Sequence, residues 1–261
     1  MSLIAVFQNE ACVIREWLAH YISQGVEHIY LLNDGSTDDF LSEISPFQEY
    51  VTLMDVDINK YPRDSGKPGR QPSIYNGMLL ERVKEESEWV AVLDLDEFMY
   101  APFHTIKDVV QQLDKEDPNL FQVLVCWRIF GSNSHLKQPT SVIHGFTSRA
   151  SDNDPIYGKA SDCKSIAKTS ALSNFWVHWH IGKGNTKTLF RGNRLLALNH
   201  YIVGSWEYFE NVKMARGDVN NFLKEDARDR QYFEQYDKNS IVDTRLSDMA
   251  MTKIEQATSS V

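Results

Sequence analysis

The sequence predicts an α/β protein built on a parallel, doubly wound sheet. Between residues 3 and 93, apolar β-prone runs alternate with amphipathic helical segments in the order β-α-β-α-β-α-β, the alternation that produces parallel sheets with right-handed crossovers. The fourth run, residues 90–93, is apolar at every position, as is typical of a strand buried on both faces. An acidic stretch, residues 94–97, follows it directly, where open α/β sheets bind ligands.

The elements of the first half follow from local patterns. Strands are predicted at residues 3–7, 27–32, 51–56 and 89–93. The first helix has Asn9 as a candidate N-cap, Gly25 as its stop, and a buried stripe of Ile14, Trp17, Leu18, Tyr21 and Ile22. Ser36 and Asp39 have capping-box spacing for a second helix that runs to residue 44. Residues 57–72 form a long basic loop, and a third helix covers residues 73–86.

The second half is less regular. We expect a helix at residues 105–113, a strand at 121–130, and a loop region over 131–165. Short strands follow at 165–168, 176–181 and 195–201, and then a helix at 205–216. We therefore divide the chain into a domain of residues 1–218, with halves 1–100 and 101–218, and a helical C-terminal tail of residues 219–261.

Composition excludes several classes of protein. The chain has 261 residues and a net charge of −9, without a long basic run, so nucleic acid is not an expected partner. The three cysteines, Cys12, Cys126 and Cys163, are far apart and have no metal-binding spacing, which indicates a reduced compartment and no disulfide scaffold. With neither a leader pattern nor a membrane-length apolar run, we expect a cytoplasmic protein. Peripheral contact with the inner face of a membrane stays open.

Asp94 and Asp96 are the candidate metal ligands. If the backbone stays extended there, both carboxylates leave on the same side. Such a pair repels itself unless a cation lies between its members, and oxygen ligands suit Mg²⁺ or Mn²⁺ shared with substrate phosphates. The alternative is a strand end that carries two solvated acids.

Other polar residues gather at the same predicted edge. The ends of the first two strands and the long loop supply candidates for binding a nucleotide: Phe7, Gln8, Asn9, Glu10, Asn33, Asp34, Arg70, Gln71 and Asn76, together with Asp94. Asp34 can accept hydrogen bonds from a base or a ribose, or it can simply cap the next helix. The residues around the long loop can reach phosphate or sugar, or they can lie on a solvated surface.

The second half supplies candidates for the remaining roles. His178, His180 or His200 can complete an Asp-Asp-His metal set, although a structural role fits any one of them. Carboxylates that can serve as a general base are Glu207, ranked first, and also Asp162 and Asp218. Five aromatic residues can form a sugar-stacking groove or ordinary core: Trp127, Phe130, Trp176, Trp179 and Trp206.

Taken in order, several motifs resemble a known family. They are Gln-Asn-Glu-Ala at 8–11, Glu-Trp-Leu-Ala-His-Tyr at 16–21, Gly-Val-Glu-His-Ile-Tyr at 25–30, Asn-Asp-Gly-Ser-Thr-Asp-Asp at 33–39, Asp-Leu-Asp-Glu-Phe at 94–98, Trp-Arg-Ile-Phe-Gly-Ser at 127–132, Lys-Ser-Ile at 164–166, Asn-His-Tyr at 199–201, Ser-Trp-Glu-Tyr-Phe at 205–209 and Arg-Gly-Asp at 216–218. The ensemble resembles GT-A glycosyltransferases of family 2, and especially of the related family 92.

The resemblance implies a GT-A fold, a Rossmann-like mixed sheet flanked by helices, and an inverting transfer from a nucleotide-sugar, usually a UDP-sugar. The acceptor would be a glycan or a lipid-linked saccharide. It also implies a divalent metal, Mn²⁺ or Mg²⁺, held by Asp94 and Asp96 with His200 as third ligand, and Asp34 at the nucleoside. The Glu-Asp pair that carries the base in family 2 is not evident here.

Two other functions stay open on the sequence. One is phosphate chemistry at the same sheet edge, as in a phosphatase or nucleotidyltransferase, although Glu97 and Phe98 after the acid pair argue against haloacid-type phosphatases. The other is a nucleotide- or glycan-binding module without activity.

Overall fold

A mixed sheet forms the centre of the structure, a computed structural model that describes residues 1–62, 69–157, 162–184, 186–190, 195–217, 219 and 228–258. Within those residues the main sheet has nine strands. The strands are β1 (Ser2–Phe7), β2 (His28–Asn33), β3 (Val51–Asp55), β4 (Trp89–Val92), β5 (Glu97–Tyr100), β6 (Leu120–Ile129), β7 (Ser148–Arg149), β8 (Cys163–Lys168), β9 (Leu172–Asn174), β10 (Ile181–Gly182), β11 (Lys187–Phe190), β12 (Ala197–His200) and β13 (Ile241–Val242).

The helices flank this sheet or connect its strands. They are α1 (Ala11–Ser23), α2 (Phe40–Ile44), α3 (Arg70–Met78), α4 (Leu80–Glu86), α5 (Ile106–Glu116), α6 (Val142–Gly145), α7 (Trp206–Tyr208), α8 (Arg230–Tyr236) and α9 (Arg245–Thr258), with short 3₁₀ turns at Ser45–Phe47 and Thr169–Ala171.

The first half forms the predicted parallel sheet. Its strands lie in the order β3-β2-β1-β4 and all pair in parallel. Every residue of β1 is buried, and alternate residues belong to different cores. Leu3 and Ala5 pack with α1, whereas Ile4 and Val6 pack with the α3–α4 side. This two-sided burial explains why the strands read as continuous apolar runs.

The second half makes the sheet mixed. β8 inserts antiparallel between β4 and β6, and β5 closes the sheet antiparallel to β12. The predicted fold class, a GT-A α/β architecture with a Rossmann-like mixed sheet, is confirmed in this arrangement.

Several local predictions are corrected. Asn9 does not cap α1; it lies at φ 55°, Glu10 occupies the N-cap position, and the Asn9 side chain accepts from the Thr37 N–H at 2.7 Å. Ser36 does not form a capping box, because its hydroxyl accepts from the Asn9 N–H at 3.0 Å and α2 begins only at residue 40. The single helix predicted at 73–86 is two helices that meet at Leu79.

Two segments of the second half also differ from prediction. Residues 176–180 are not a strand, and only Ile181–Gly182 pairs, with β9. The helix predicted at 205–216 is α7 followed by a π-helical turn at Phe209–Met214. A π turn changes which side chains face inward, and here it buries Lys213 completely.

The cysteine expectation is wrong. Cys126 on β6 lies directly opposite Cys163 on the antiparallel strand β8, and the two form a disulfide. Spacing in sequence gave no hint of this, because the pairing depends on the register of strands that are distant in sequence.

Residues 241–243 pair and pack with an earlier part of the chain. β13 pairs with β7, and the buried Arg149 Nε lies 2.6 Å from a carboxylate oxygen of Asp243. Across the described ranges, no helix has both the length and the apolar character needed to span a membrane.

Helix α1 fixes the backbone of the acidic stretch after β4. The Trp17 indole N–H donates to the carbonyls of Asp94 and Glu97, both at 3.1 Å. The Tyr21 hydroxyl donates to the Glu97 carbonyl at 2.9 Å and accepts from the Met99 N–H at 2.8 Å. Both side chains are fully buried, so water cannot replace these hydrogen bonds.

Removing the Tyr21 hydroxyl therefore tests how firmly this stretch is held. In Tyr21→Phe, the Met99 N–H loses its bond to the hydroxyl and the Glu97 carbonyl keeps only the Trp17 indole as a side-chain donor. We therefore expect the free energy of unfolding to fall by about 1–3 kcal/mol. Urea unfolding would measure this loss of stability as a lower midpoint at an unchanged m-value. The control is Tyr50→Phe, at a half-buried position just before β3. A change in Tyr21→Phe within about 0.5 kcal/mol, as for ordinary surface substitutions, would contradict the assignment.

Candidate functional site

A cleft of about 290 Å³ opens at the carboxyl ends of β1, β2 and β4. The acids of the turn after β4 form part of its wall, and side chains from the second half of the chain face them. Its lining residues are Val6, Phe7, Gln8, Asp34, Gln71, Asp94, Asp96, Trp127, Asp162, Val177, His178, His200, Ile202, Arg216, Gly217, Val219, Arg228, Tyr232 and Tyr236.

The acidic stretch is a turn and not an extended strand end. The Glu97 N–H donates to the Asp94 carbonyl at 3.0 Å, and β5 begins immediately afterwards. The predicted geometry, with both carboxylates leaving one side of a strand, is therefore wrong. Asp94 and Asp96 reach the same cleft by way of the turn.

Each carboxylate oxygen of Asp94 accepts a hydrogen bond from a protein group. Its Oδ1 accepts from the Gln71 amide at 3.1 Å, and its Oδ2 accepts from the Lys164 ammonium at 2.8 Å. Burial alone would raise the pKa of Asp94, but the charge of Lys164 outweighs it and the pKa is lowered. Burial would lower the pKa of Lys164, and Asp94 and Glu97 raise it above its ordinary value. Each group thus keeps the other ionised.

Asp96 is held by a second ammonium. Its Oδ2 accepts from Lys213, which is fully buried and also donates to the Ile202 carbonyl at 2.5 Å. The same oxygen lies 3.4 Å from Nε2 of His200. Although burial would raise the pKa of Asp96, Lys213 and His200 hold it well below its ordinary range. Asp96 is therefore a carboxylate at neutral pH.

Glu97 joins this turn to the opposite wall of the cleft. The side chain is completely buried; its Oε1 accepts from the Trp127 indole at 2.7 Å, and its Oε2 accepts from the Asp94 N–H at 2.9 Å. Lys164 lies 3.2 Å from the same Oε2. Burial raises the pKa of Glu97 to about 7. Glu97 is a neighbour of the acid pair and does not line the cleft.

Two atoms at the acid pair that could ligate a metal lack a hydrogen-bond partner. Oδ1 of Asp96 and Nδ1 of His200 are buried without a hydrogen bond to any described residue. Nε2 of His200 is the ring nitrogen beside Asp96, which leaves Nδ1 for another partner. These are atoms that a divalent cation takes as ligands.

The predicted three-residue metal set is not assembled as a closed site. In the described part of the chain, no three His, Cys, Asp or Glu side chains are grouped to hold an ion by themselves, and both oxygens of Asp94 already accept a hydrogen bond from a protein group. The residues present fit an ion that takes ligands from Asp96 and His200 and completes its shell with a substrate, as Mg²⁺ commonly does.

The other two histidines separate in role. His178 lines the cleft, and its Nδ1 lies 3.3 Å from the Cys163 carbonyl. His180 is 3% exposed, and its Nδ1 accepts from the Trp176 N–H at 3.2 Å. Burial, together with the charge of Lys164, lowers the pKa of His178 to about 4 and that of His180 to about 3. Both are neutral at pH 7, and His180 is a structural residue.

Asp34 lines the cleft as predicted, but with a partner that the sequence did not suggest. Arg70 donates to both of its oxygens, at 2.6 and 2.5 Å, and also to the Tyr61 carbonyl at 2.7 Å. Arg70 is 1% exposed and is not part of the cleft wall. The predicted contact of Arg70 with phosphate or sugar is therefore replaced by a role in positioning Asp34.

The remaining predicted nucleotide contacts divide in two groups. Phe7, Gln8 and Gln71 line the cleft, with Gln71 also donating to the Tyr75 hydroxyl at 2.7 Å. The others do not line it and serve structural bonds. Asn9 donates to Ser36 and accepts from Thr37, Asn33 donates to Asp55, Asn76 donates to the Pro72 and Phe175 carbonyls, and Glu10 accepts from Tyr208 and pairs with Arg216.

The candidate bases also separate. Glu207 is exposed on α7, accepts from the Gln138 N–H at 3.0 Å, and is not in the wall of the cleft. Asp218 lies outside the described residues. Asp162, the residue before β8, lines the cleft and is 8% exposed. Trp127 lines the cleft as well, whereas Phe130, Trp176, Trp179 and Trp206 do not.

Sequence reasoning missed the cations of the site. Lys164 and Lys213 lie behind the acids, and Arg216 lines the cleft, where it donates to the Gln8 carbonyl at 3.0 Å. The motifs Lys-Ser-Ile and Arg-Gly-Asp contained two of the three, but isolated basic residues are normally solvated, and nothing local assigned them to this place.

Comparison with known proteins identifies related sequences. A profile of glycosyltransferase family 92 matches residues 4–261. A family 92 protein of Oryza sativa subsp. japonica is 25% identical over 220 residues, which are 81% of this chain and 34% of that protein. One of Ricinus communis is 25% identical over 212 residues, 80% of this chain and 36% of that protein. The chain thus spans about a third of the length of the curated relatives that it matches.

Similar solved structures are more distant. Staphylococcus aureus TarS 1–349 in complex with UDP matches with a TM-score of 0.37 and 18% identity over 65% of this chain and 47% of that one. Mycobacterium tuberculosis glucosyl-3-phosphoglycerate synthase with Mn²⁺, UDP and glucosyl-3-phosphoglycerate matches with a TM-score of 0.35 and 15% identity, over 66% of this chain and 57% of that one. TM-scores of this size are too low to carry either ligand over to this chain.

The low pKa of His180 makes stability depend on pH. The folded protein binds this proton more weakly than the unfolded chain, whose value is 6.5. The stability that neutral His180 contributes is therefore complete above pH 6.5 and is lost as the pH falls toward 3. We expect the wild type to lose about 1.4 kcal/mol per pH unit more than His180→Gln in this window. Urea unfolding at several pH values measures this, with exposed His104→Gln as control. Parallel curves for the wild type and His180→Gln would refute the assignment.

Proposed function

The chain belongs to glycosyltransferase family 92, and on that premise we propose that it transfers a sugar from a nucleotide-sugar to a saccharide acceptor with inversion at the anomeric carbon. The observation that supports this most directly is the cleft itself. It gathers Asp34, which follows β2, with Asp94 and Asp96, which follow β4, and it has Asp162, the residue before β8, in the same wall. A donor site and a base for an acceptor thus share one space of about 290 Å³.

The donor binds along the first-half wall. Asp34, fixed by Arg70, presents carboxylate lone pairs to the N–H and hydroxyl groups of a nucleoside, and the chemistry suits a UDP-sugar. Phe7 and Gln8 contribute the adjoining wall. Arg216 lines the cleft and supplies a guanidinium for the diphosphate oxygens.

A divalent ion, Mn²⁺ or Mg²⁺, belongs to the proposal through Asp96 and His200. Their unpartnered oxygen and nitrogen are the atoms that would hold it, and Asp94 stands beside them in the same turn. When bound, the ion supplies compensation for the negative charge that develops on the leaving diphosphate. The protein's own part is to keep both acids ionised, which Lys164 and Lys213 do.

Asp162 replaces Glu207 as the proposed base. In a direct displacement, an acceptor hydroxyl gives its proton to the base while its oxygen bonds to the anomeric carbon, and the bond from that carbon to the diphosphate oxygen breaks. The base must lie in the cleft where the acceptor enters, and of the two candidates described, Asp162 does so. Trp127 offers an aromatic face beside it for a sugar ring. The acceptor class is a glycan or a lipid-linked saccharide.

The metal and nucleotide site is tested by calorimetry with UDP. We expect Mn²⁺ to tighten UDP binding and EDTA to abolish that gain. Asp96→Asn should weaken Mn²⁺-dependent binding by at least the ~10–100-fold typical of losing even an outer partner of a metal site. Asp39→Asn, an exposed acid just before α2, is the control. Equal UDP affinity with Mn²⁺ and with EDTA would remove the metal from the proposal.

The base is tested by turnover on a panel of UDP- and GDP-sugars. We expect Asp162→Asn to reduce release of the nucleoside diphosphate by about 10²–10⁴-fold, the usual contribution of a general base. UDP affinity should stay within about twofold, because Asp162 acts on the acceptor side and the substitution leaves the proposed contacts to the donor unchanged.

Glu207→Gln is the matched control, since it removes the other candidate carboxylate. It should turn over like the wild type. Full activity in Asp162→Asn together with loss in Glu207→Gln would reverse the assignment. Nucleotide binding with no turnover of any donor sugar would instead favour a binding module.

A further inference from the structure

The disulfide between Cys126 and Cys163 lies next to two side chains that the proposed function gives to the acceptor. Cys126 on β6 is followed directly by Trp127, and Cys163, the first residue of β8, directly follows Asp162. Beside the cross-link, the Trp127 backbone N–H donates to the Asp162 carbonyl at 2.8 Å. Trp127 and Asp162 both line the cleft. The covalent bond is therefore one residue away from the aromatic face and from the proposed base.

The start of β8 takes its strand pairing from β6. β6 pairs with residues 163–167 of β8, whereas β4 pairs with residues 166–168. Among the described residues, the first three of β8 thus pair with β6 alone. β6 is anchored at this level by β12 on its other side, where Leu198 lies opposite Trp127. Because strand ends open more readily than strand centres, the disulfide fixes the part of β8 that would otherwise separate first.

The nucleotide side of the cleft is held by other contacts. Lys164, the residue after Cys163, is completely buried and forms ion pairs with Asp94 at 2.8 Å and Glu97 at 3.2 Å. Asp34 is positioned by Arg70, on the far side of the cleft from β8. Opening the disulfide should therefore loosen residue 162 and leave the proposed nucleotide contacts in place.

The disulfide is open to a reductant from one side, since Cys126 is exposed and Cys163 is 4% exposed. A thiolate of a dithiol can attack the sulfur of Cys126; the S–S bond breaks, and Cys163 leaves as a thiolate that takes up a proton. The second thiol of the reagent then attacks the mixed disulfide and releases Cys126 as a thiol. The dithiol ends as a cyclic disulfide, and two electrons and two protons have passed to the protein.

We propose that the Cys126–Cys163 disulfide is a positioning element of the proposed transfer reaction. It holds Asp162 against Trp127, and its reduction by a dithiol lowers turnover while nucleotide binding is kept. The inference rests on the proposed glycosyltransfer. Neither cysteine lines the cleft, so both act through the residues beside them and neither is a catalytic residue.

Dithiothreitol, a small dithiol, tests the proposal on the full chain. Alkylation and mass spectrometry count the thiols, and we expect one, Cys12, before reduction and three afterwards. Reduction should lower release of the nucleoside diphosphate from a donor sugar by about tenfold or more, toward the ~10²-fold cost of a 1 Å misplacement. UDP affinity should stay within about twofold, and reoxidation should restore turnover. A bond that only stabilises the fold would not separate turnover from UDP binding in this way.

Hydrogen exchange measures the positioning without reference to activity. Reduction should speed exchange of the Trp127 N–H, because its acceptor is the carbonyl of Asp162. The amides of residues 166–168, which lie where β8 also pairs with β4, should exchange as before.

Cysteine variants separate the disulfide from other effects of the reagent. Cys12→Ser is the matched control: Cys12 is an exposed free thiol on α1, outside the cleft wall, and the variant should respond to dithiothreitol as the wild type does. Cys126→Ser combined with Cys163→Ser should turn over slowly and be insensitive to the reagent. Because the wild type is compared with itself before and after reduction, the test stands even when the melting curve shows that the double variant is unfolded.

The outcomes separate this inference from the function on which it rests. Equal turnover before and after reduction overturns the positioning role. Loss of UDP binding together with turnover also overturns it, since the bond would then serve the fold as a whole. An oxidised chain that turns over no donor sugar refutes the proposed function instead, and hydrogen exchange then still decides whether the disulfide holds residue 162 against β6.

Discussion

Charge compensation at the turn after β4 is the constraint on which the site depends. Three carboxylates, those of Asp94, Asp96 and Glu97, lie within four residues at the edge of a buried sheet. Buried charges are tolerated only when they are paired and hydrogen-bonded. The chain meets this requirement from three directions: α1 binds the backbone of the turn, β8 brings Lys164, and the π turn brings Lys213.

This constraint accounts for the antiparallel direction of β8 in the mixed part of the sheet. β8 runs antiparallel between β4 and β6, and that direction places Lys164, near its start, and the preceding Asp162 at the same edge as the acids. A parallel strand in this position would start at the opposite edge of the sheet. The π turn has a comparable effect, because Lys213 points inward to Asp96 while Arg216, three residues later, reaches the cleft wall. Sheet direction and helix irregularity are thus both tied to the chemistry of one turn.

What could be predicted from sequence was local, and what could not was long-range. The first four strands, α1 and the positions of Asp34, Asp94 and Asp96 at one edge followed from periodicity and strand order, because a parallel sheet brings strand ends together. Lys164 and Lys213 could not be found in this way, since their burial depends on partners 70 and 117 residues distant. The disulfide between Cys126 and Cys163 was missed for the same reason. Glu207 was ranked above Asp162, and the sequence could not correct this order. A carboxylate on a predicted helix looks the same in sequence whether it faces solvent or a cleft.

Glu97 connects the proposed donor side of the cleft to the proposed acceptor side. Alternation along an extended strand would have turned it away from the pair, and the turn instead places it beneath them, bonded to the Asp94 N–H and to the Trp127 indole. Trp127 in turn packs against His200, with ring centroids 4.4 Å apart. The backbone N–H of Trp127 donates to the Asp162 carbonyl at 2.8 Å. Three hydrogen bonds therefore link the acid pair, the aromatic face and the proposed base. Two are accepted by the Glu97 carboxylate, and the third is donated by the Trp127 backbone. A reaction that joins two substrates needs their reacting groups held in a fixed relation, and in this chain that relation passes through a residue that lines neither side of the cleft.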